Sequence, residues 1–176
     1  MNGRRSILAA TILASALSLA APLGAAERAV KTPITIKTSL QGNLLVSGTA
    51  SGRFTLELGT VFDAGRMTLK YSYGGARRTA AGQTFRPGDR TETFTGKQGS
   101  LTIHSAGMQF PVGVQGPKDP DGDSEVWVGT WSIVRGTGKY AGLTGGGGVA
   151  GIVEIAPGKG LTLDYFHRYE GFASRS

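Results

Sequence analysis

Gly129-Thr-Trp-Ser-Ile-Val-Arg-Gly-Thr-Gly-Lys-Tyr-Ala-Gly-Leu-Thr-Gly-Gly-Gly-Gly148 joins a strand-like run to a Gly-Thr-Gly turn, an aromatic residue and a glycine cluster that leads into more strand. Gly136 to Ala141 has the spacing of a dinucleotide fingerprint. That fingerprint needs a helix N-terminus next, where free N–H groups meet the pyrophosphate. Gly142 and Gly145 to Gly148 are poor helix material, so the nucleotide reading fails. No Ser or Thr follows Lys139, which removes a phosphate loop as well. The residues fit a sharp corner between two strands. Gly136 and Gly138 permit the turn, Tyr140 is expected to set its ring on one end of the core, and the later glycines let the next strand bend or approach a neighbour.

Outward from that corner the chain reads as β. Ile34 and Ile36 alternate with polar residues, as do Phe54, Leu56 and Leu58, and then Met67, Leu69, Tyr71 and Tyr73. Leu101 and Ile103 follow a threonine-rich run around Phe94. Val126 to Arg135, Val149 to Ile155 and Leu161 to Tyr169 add three more runs. Period-2 alternation with β-branched and aromatic enrichment is the strand signal. Gly42-Asn43, Gly74-Gly75, Pro87-Gly88-Asp89, Asp121-Gly122 and Pro157-Gly158 mark turns. Seven to nine short strands in an all-β chain predict a closed barrel or a sandwich.

The first 26 residues have the form of a signal peptide: Arg4-Arg5, an apolar core from Ser6 to Ala21, and a small-residue end with Gly24 and Ala26. The division is therefore 1–26 signal peptide and 27–176 barrel domain, in an exported protein of the periplasm or the secreted fraction. The chain has no cysteine, so no disulfide and no thiolate chemistry enter. Removing Arg4 and Arg5 leaves 17 basic against 12 acidic side chains, a net charge of +5. The basic residues are scattered without interleaved aromatics, which argues against nucleic acid. No second run is long enough for a membrane-spanning helix.

The strand with Gly129, Trp131 and Ile133, followed by Gly136-Thr-Gly-Lys-Tyr-Ala-Gly-Leu-Thr-Gly-Gly147, resembles the signature of the allene oxide cyclase barrel-like family, to which dirigent proteins are related. Leu161 to Gly171 resembles the closing strand of such barrels. The likeness covers residues 126–171; the first half agrees in architecture alone. It implies a single antiparallel eight-stranded β-barrel with a mostly apolar cavity. Family members include a cyclase of fatty-acid-derived epoxides and proteins that steer phenoxy-radical coupling. The cyclase's cavity glutamate and asparagine have no match here, because only Asn2 and Asn43 are asparagines.

Candidate site residues follow from strand parity. Tyr71, Tyr73, Trp131 and Tyr165 are the candidates to line a ligand cavity. Trp127 shares a face with Trp131. His167 shares a face with Tyr165 and Tyr169 and is a candidate to orient a ligand or move a proton; Glu57 is a candidate acid if it points inward. For each the alternative is an ordinary structural or surface residue. Asp119, Asp121 and Asp123 alternate as hard-cation ligands do, but the glycine falls at the wrong position for an EF-hand loop, so a solvated turn competes with calcium. No other metal or cofactor pattern is present.

These readings lead to an exported barrel that binds a small apolar or aromatic molecule. The alternatives are a cyclase- or isomerase-like enzyme that guides a reactive intermediate, and a structural protein whose packed barrel forms a homo-oligomer.

Overall fold

A computed structural model describes residues 30–43, 47–111, 124–155 and 162–175. The expected signal peptide and the Asp119, Asp121 and Asp123 segment lie outside these residues.

The strands are β1 Thr32–Asn43, β2 Ser47–Leu58, β3 Val61–Tyr73, β4 Arg77–Arg78, β5 Thr84–Gly96, β6 Gly99–Pro111, β7 Glu125–Gly136, β8 Leu143–Ile155 and β9 Thr162–Arg175. Every pairing is antiparallel. Sequential neighbours pair from β1 to β3 and from β5 to β9, β9 returns to β1, and β3 pairs with β5 from Gly65↔Gly96 to Tyr73↔Gly88. That last ladder closes an eight-stranded barrel and removes free sheet edges. The two-residue β4 is an outlying ladder on the start of β5.

Alternation sets the two faces. Ile34, Ile36 and Leu40 on β1, Phe54, Leu56 and Leu58 on β2, and Met67, Leu69, Tyr71 and Tyr73 on β3 point inward and are buried. Lys37, Arg53, Glu57, Arg66, Lys70, Arg168 and Glu170 take the intervening outward positions and are exposed. An outer wall with this many charges differs from the apolar band of a lipid-facing barrel. Among the described residues no helix is long and apolar enough to cross a membrane.

One end is closed by the corner that the sequence marks. Gly138 has φ +58, and a single 3-10 turn, Gly138–Tyr140, follows. Thr137 N–H donates to Ser100 O and Lys139 N–H to Gln98 O, both at 2.8 Å, which ties the corner to the β5–β6 hairpin. Tyr140 is fully buried, and its hydroxyl donates to Asp63 Oδ2 at 2.8 Å. Asp63, also buried, accepts from the backbone N–H groups of Ala64, Lys97 and Gln98. One carboxylate thus fastens β3, the β5–β6 turn and the corner together.

The glycine cluster continues as strand. Cβ atoms added at Gly146 and Gly147 would lie 2.3 Å from Trp131 O and 1.9 Å from Glu170 O. Only a residue without a side chain permits that backbone approach.

Candidate functional site

The half of the interior away from this corner is polar as well as aromatic. On β5 the inward positions before Phe94 are Gly88, Arg90 and Glu92; Thr91, Thr93 and Thr95 take the other parity. Register brings Arg90 opposite Tyr71 on β3 and Ser105 on β6. Arg90, Glu92, Ser105 and His167 are all buried.

Space for this cluster comes from inward glycines. Gly88 faces Gly107 across the β5–β6 ladder. A Cβ at Gly88 would meet the rings of Trp127 and Tyr73 at 2.7 and 2.6 Å, and one at Gly107 would meet Trp127 at 3.0 Å. The pair leaves a seat for the indole. Gly151, opposite His167 in register, does the same for the imidazole: its added Cβ would lie 2.1 Å from Cδ2.

Arg90 is the centre of the network. Its guanidinium carbon lies 3.6 Å from the Trp127 ring centroid, a cation–π contact in a desolvated setting. Nη1 donates to His167 Nε2 at 2.8 Å, and Nη2 donates to the Tyr73 hydroxyl at 2.5 Å. Arginine keeps its proton in proteins, so Nε2 of His167 is the acceptor and the imidazole proton sits on Nδ1. Burial, with the Arg90 charge adding to it, holds His167 well below its ordinary pKa, which agrees with a neutral ring.

Glu92 lies one inward position further along β5. Ser105 Oγ donates to its Oε1 at 2.8 Å and the Tyr169 hydroxyl at 3.1 Å. Burial pushes the Glu92 carboxyl up; the bonds from Ser105 and Tyr169 and the Arg90 charge oppose this without cancelling it. Gln109 donates to Glu125 Oε2 near the far end. Burial also raises the carboxyl of Glu125, against the pull of Arg86 and Arg90.

Five buried polar atoms have no hydrogen-bond partner among the described residues: Arg90 Nε, His167 Nδ1, Trp127 Nε1, Glu92 Oε2 and Gln109 Oε1. All belong to inward residues of β5, β6, β7 and β9. The first three are N–H donors.

Comparison of the chain with family models, with curated proteins and with solved structures returns no match. Function must therefore be read from the site itself.

Of the residues singled out in the sequence, Tyr71, Tyr73, Tyr165 and His167 come together. Ring centroids are 5.5 Å apart for Tyr71–Tyr73, 6.4 Å for Tyr71–Tyr165 and 6.0 Å for Tyr165–His167. Trp131 is inside the barrel but on the corner side of this group, next to Tyr169 at 6.5 Å, and its indole N–H is taken by Gly148 O. Glu57 is a correction. It is exposed on the outer wall, because Leu56 and Leu58 occupy the inward parity of β2, so it is no candidate for an interior acid. His104 is also outside the barrel and pairs with Asp89 at 2.7 Å.

Arg90, Glu92 and Ser105 are missed by sequence reasoning. The signal that locates them is parity with Phe94 on β5 and with Leu101 and Ile103 on β6.

Proposed function

We propose that this protein is an exported binding module whose barrel holds a small aromatic or apolar molecule, against Tyr71, Tyr73, Trp127 and Tyr165. The observation that carries the reading is the group of five unpartnered polar atoms on buried side chains beside these rings. Each such atom costs about 1–3 kcal/mol when left without a partner. A barrel serving only as a packed scaffold gains by replacing buried charged groups with apolar ones of similar volume. Retaining Arg90, Glu92 and His167 at inward positions fits a site that is completed by a ligand.

The resemblance of residues 126–171 to the allene oxide cyclase barrel-like family supports the same reading, since members of that family carry an interior cavity. Export is supported by the signal-like first 26 residues.

Thermal-shift and tryptophan-fluorescence titrations with a library of phenols, aromatic acids and lipophiles test the proposal. The expected result is a saturable ligand that stabilises the fold and changes the emission of Trp127. If no compound binds, and crystals show side chains filling the interior, the packed-scaffold alternative replaces it.

One observation favours a catalytic version. Glu92 is a buried acid whose pKa is raised and whose Oε2 has no partner among the described residues. That is the state in which a carboxylic acid protonates a bound intermediate. A cyclase- or isomerase-like turnover lost in Glu92→Gln, with ligand affinity kept, separates this version from simple binding.

A further inference from the structure

We infer that the molecule bound beside Arg90 is an acid, an aromatic carboxylate whose oxygens meet the Arg90 guanidinium. The inference rests on the reading of the barrel as a small-molecule binder and adds the charge of its ligand.

Three features lead to it. First, the unpartnered side-chain nitrogens are all donors: Arg90 Nε–H, His167 Nδ1–H and Trp127 Nε1–H. The proton on His167 is placed at Nδ1 because Nε2 accepts from Arg90. Two acceptor oxygens, Glu92 Oε2 and Gln109 Oε1, are unpartnered as well, so donors outnumber acceptors three to two. An acceptor-only group complements the donors, and a carboxylate is the compact group with four acceptor sites. A neutral phenol or alkene leaves most of them unmet.

Second, the guanidinium is a buried cation with no carboxylate in contact among the described residues. Its partners are the His167 imidazole, the Tyr73 phenol and the Trp127 indole face. Among the described residues, Glu92 and Glu125 are carboxyl groups that feel its charge. Glu92 Oε1 is engaged by Ser105 and Tyr169, and Glu125 by Gln109. Arginine binds carboxylates side-on through two parallel N–H groups. The Trp127 ring centroid lies 3.6 Å from the guanidinium carbon, and Nε is the guanidinium nitrogen left without a partner among the described residues.

Third, the end of the barrel on the Arg90 side carries further cations. Arg77 and Arg78 form β4, and Arg86 lies on β5, four residues before Arg90. Cationic groups along an approach raise the local concentration of an anion.

The aromatic part of the ligand follows from the wall. Tyr71, Tyr73 and Tyr165 stand within 6.4 Å of one another in the two contacts they make, and Tyr165 continues to His167. Rings of this kind receive a flat apolar body next to the charged anchor.

The test uses matched pairs: benzoate, cinnamate and 2-naphthoate, each against its primary amide, titrated into the purified protein. The acid of at least one pair is expected to bind about tenfold or more tighter than its amide, as a charge-assisted hydrogen bond provides. In Arg90→Gln that preference is expected to disappear while the amide still binds, with a thermal melt to show that the variant is folded. Amides that bind as well as their acids overturn the acid inference and leave the binding module standing. Absence of binding by any acid or amide overturns the acid inference, and the wider library titration then decides the binding module. The comparison on the unaltered protein decides the matter even if the variant does not fold.

Discussion

Arg90 Nη1 donates to His167 Nε2 at 2.8 Å inside the barrel, between strands β5 and β9. The contact joins residues 77 positions apart and fixes the imidazole as a neutral ring with its proton on Nδ1. It has a consequence for stability. A ring whose pKa is lowered on folding binds its proton better in the unfolded chain. The stabilisation is therefore complete above the unfolded value of 6.5 and is lost as pH falls below it toward the folded value. Urea midpoints between pH 7.5 and 5 should fall more steeply for the native protein than for His167→Gln, which keeps an acceptor for Arg90 and does not titrate. Parallel curves would show that His167 is not held neutral.

Glu92 has the opposite sign. Its pKa is raised on folding, so stability is complete below the unfolded value of 4.5 and is lost as pH rises through the folded value. Glu92→Gln keeps acceptors for Ser105 and Tyr169 and removes the titration. Its midpoint should exceed that of the native protein at pH 7, and the gap should close toward pH 4. A variant less stable at pH 7 would mean that the ionised carboxylate is needed as a partner for Arg90.

At the corner end, Asp63 receives three backbone N–H groups and the Tyr140 hydroxyl. Hydrogen bonds to a charged group contribute about 1.5–3 kcal/mol, so Tyr140→Phe should cost about 2 kcal/mol and Asp63→Ala about 3 kcal/mol or more. A double-mutant cycle in guanidinium chloride measures the coupling between them. Additive losses would show that Tyr140 closes the end by packing alone.

Gly151→Ala should destabilise by about 1–3 kcal/mol, because its Cβ would fall 2.1 Å from the His167 ring and 2.4 Å from Phe166 O. Gly75, where an added Cβ meets nothing within 4 Å, is the control. Gly75→Ala should be neutral or slightly stabilising. If both changes are tolerated, the inward glycines do not shape the ring seats.

Most of the fold was legible because alternation is visible wherever inward residues are apolar. Ile34 and Ile36, then Phe54, Leu56 and Leu58, then Met67, Leu69, Tyr71 and Tyr73 fall on the inner face as their spacing implies. The corner was legible because glycines and Tyr140 have a stereochemical meaning independent of the rest of the chain. The polar core was not legible because it breaks that pattern. In Arg90-Thr-Glu-Thr-Phe94 the charged residues take the inward parity and the threonines face out. A composition-led reading assigns those charges to the surface. Of the two readings open for Glu57, the surface one holds: Leu56 and Leu58 occupy the inward parity of β2 and put the carboxylate between them outside. The glycine seats for Trp127 and His167 depend on register between strands, which one strand's sequence does not carry.

The central claim is that the Arg90 side of the barrel receives a small aromatic acid. Its most direct test is the side-chain N–H signals in heteronuclear NMR titrations with benzoate, cinnamate and 2-naphthoate in turn. Arg90 Nε–H and Trp127 Nε1–H are unpartnered among the described residues, whereas Trp131 Nε1–H already donates to Gly148 O at 2.9 Å. The account predicts that, with at least one of the three, the Arg90 and Trp127 signals shift in a saturable manner while that of Trp131 stays in place. Saturation that leaves Arg90 and Trp127 unmoved, or no saturable shift with any of the three, would contradict it.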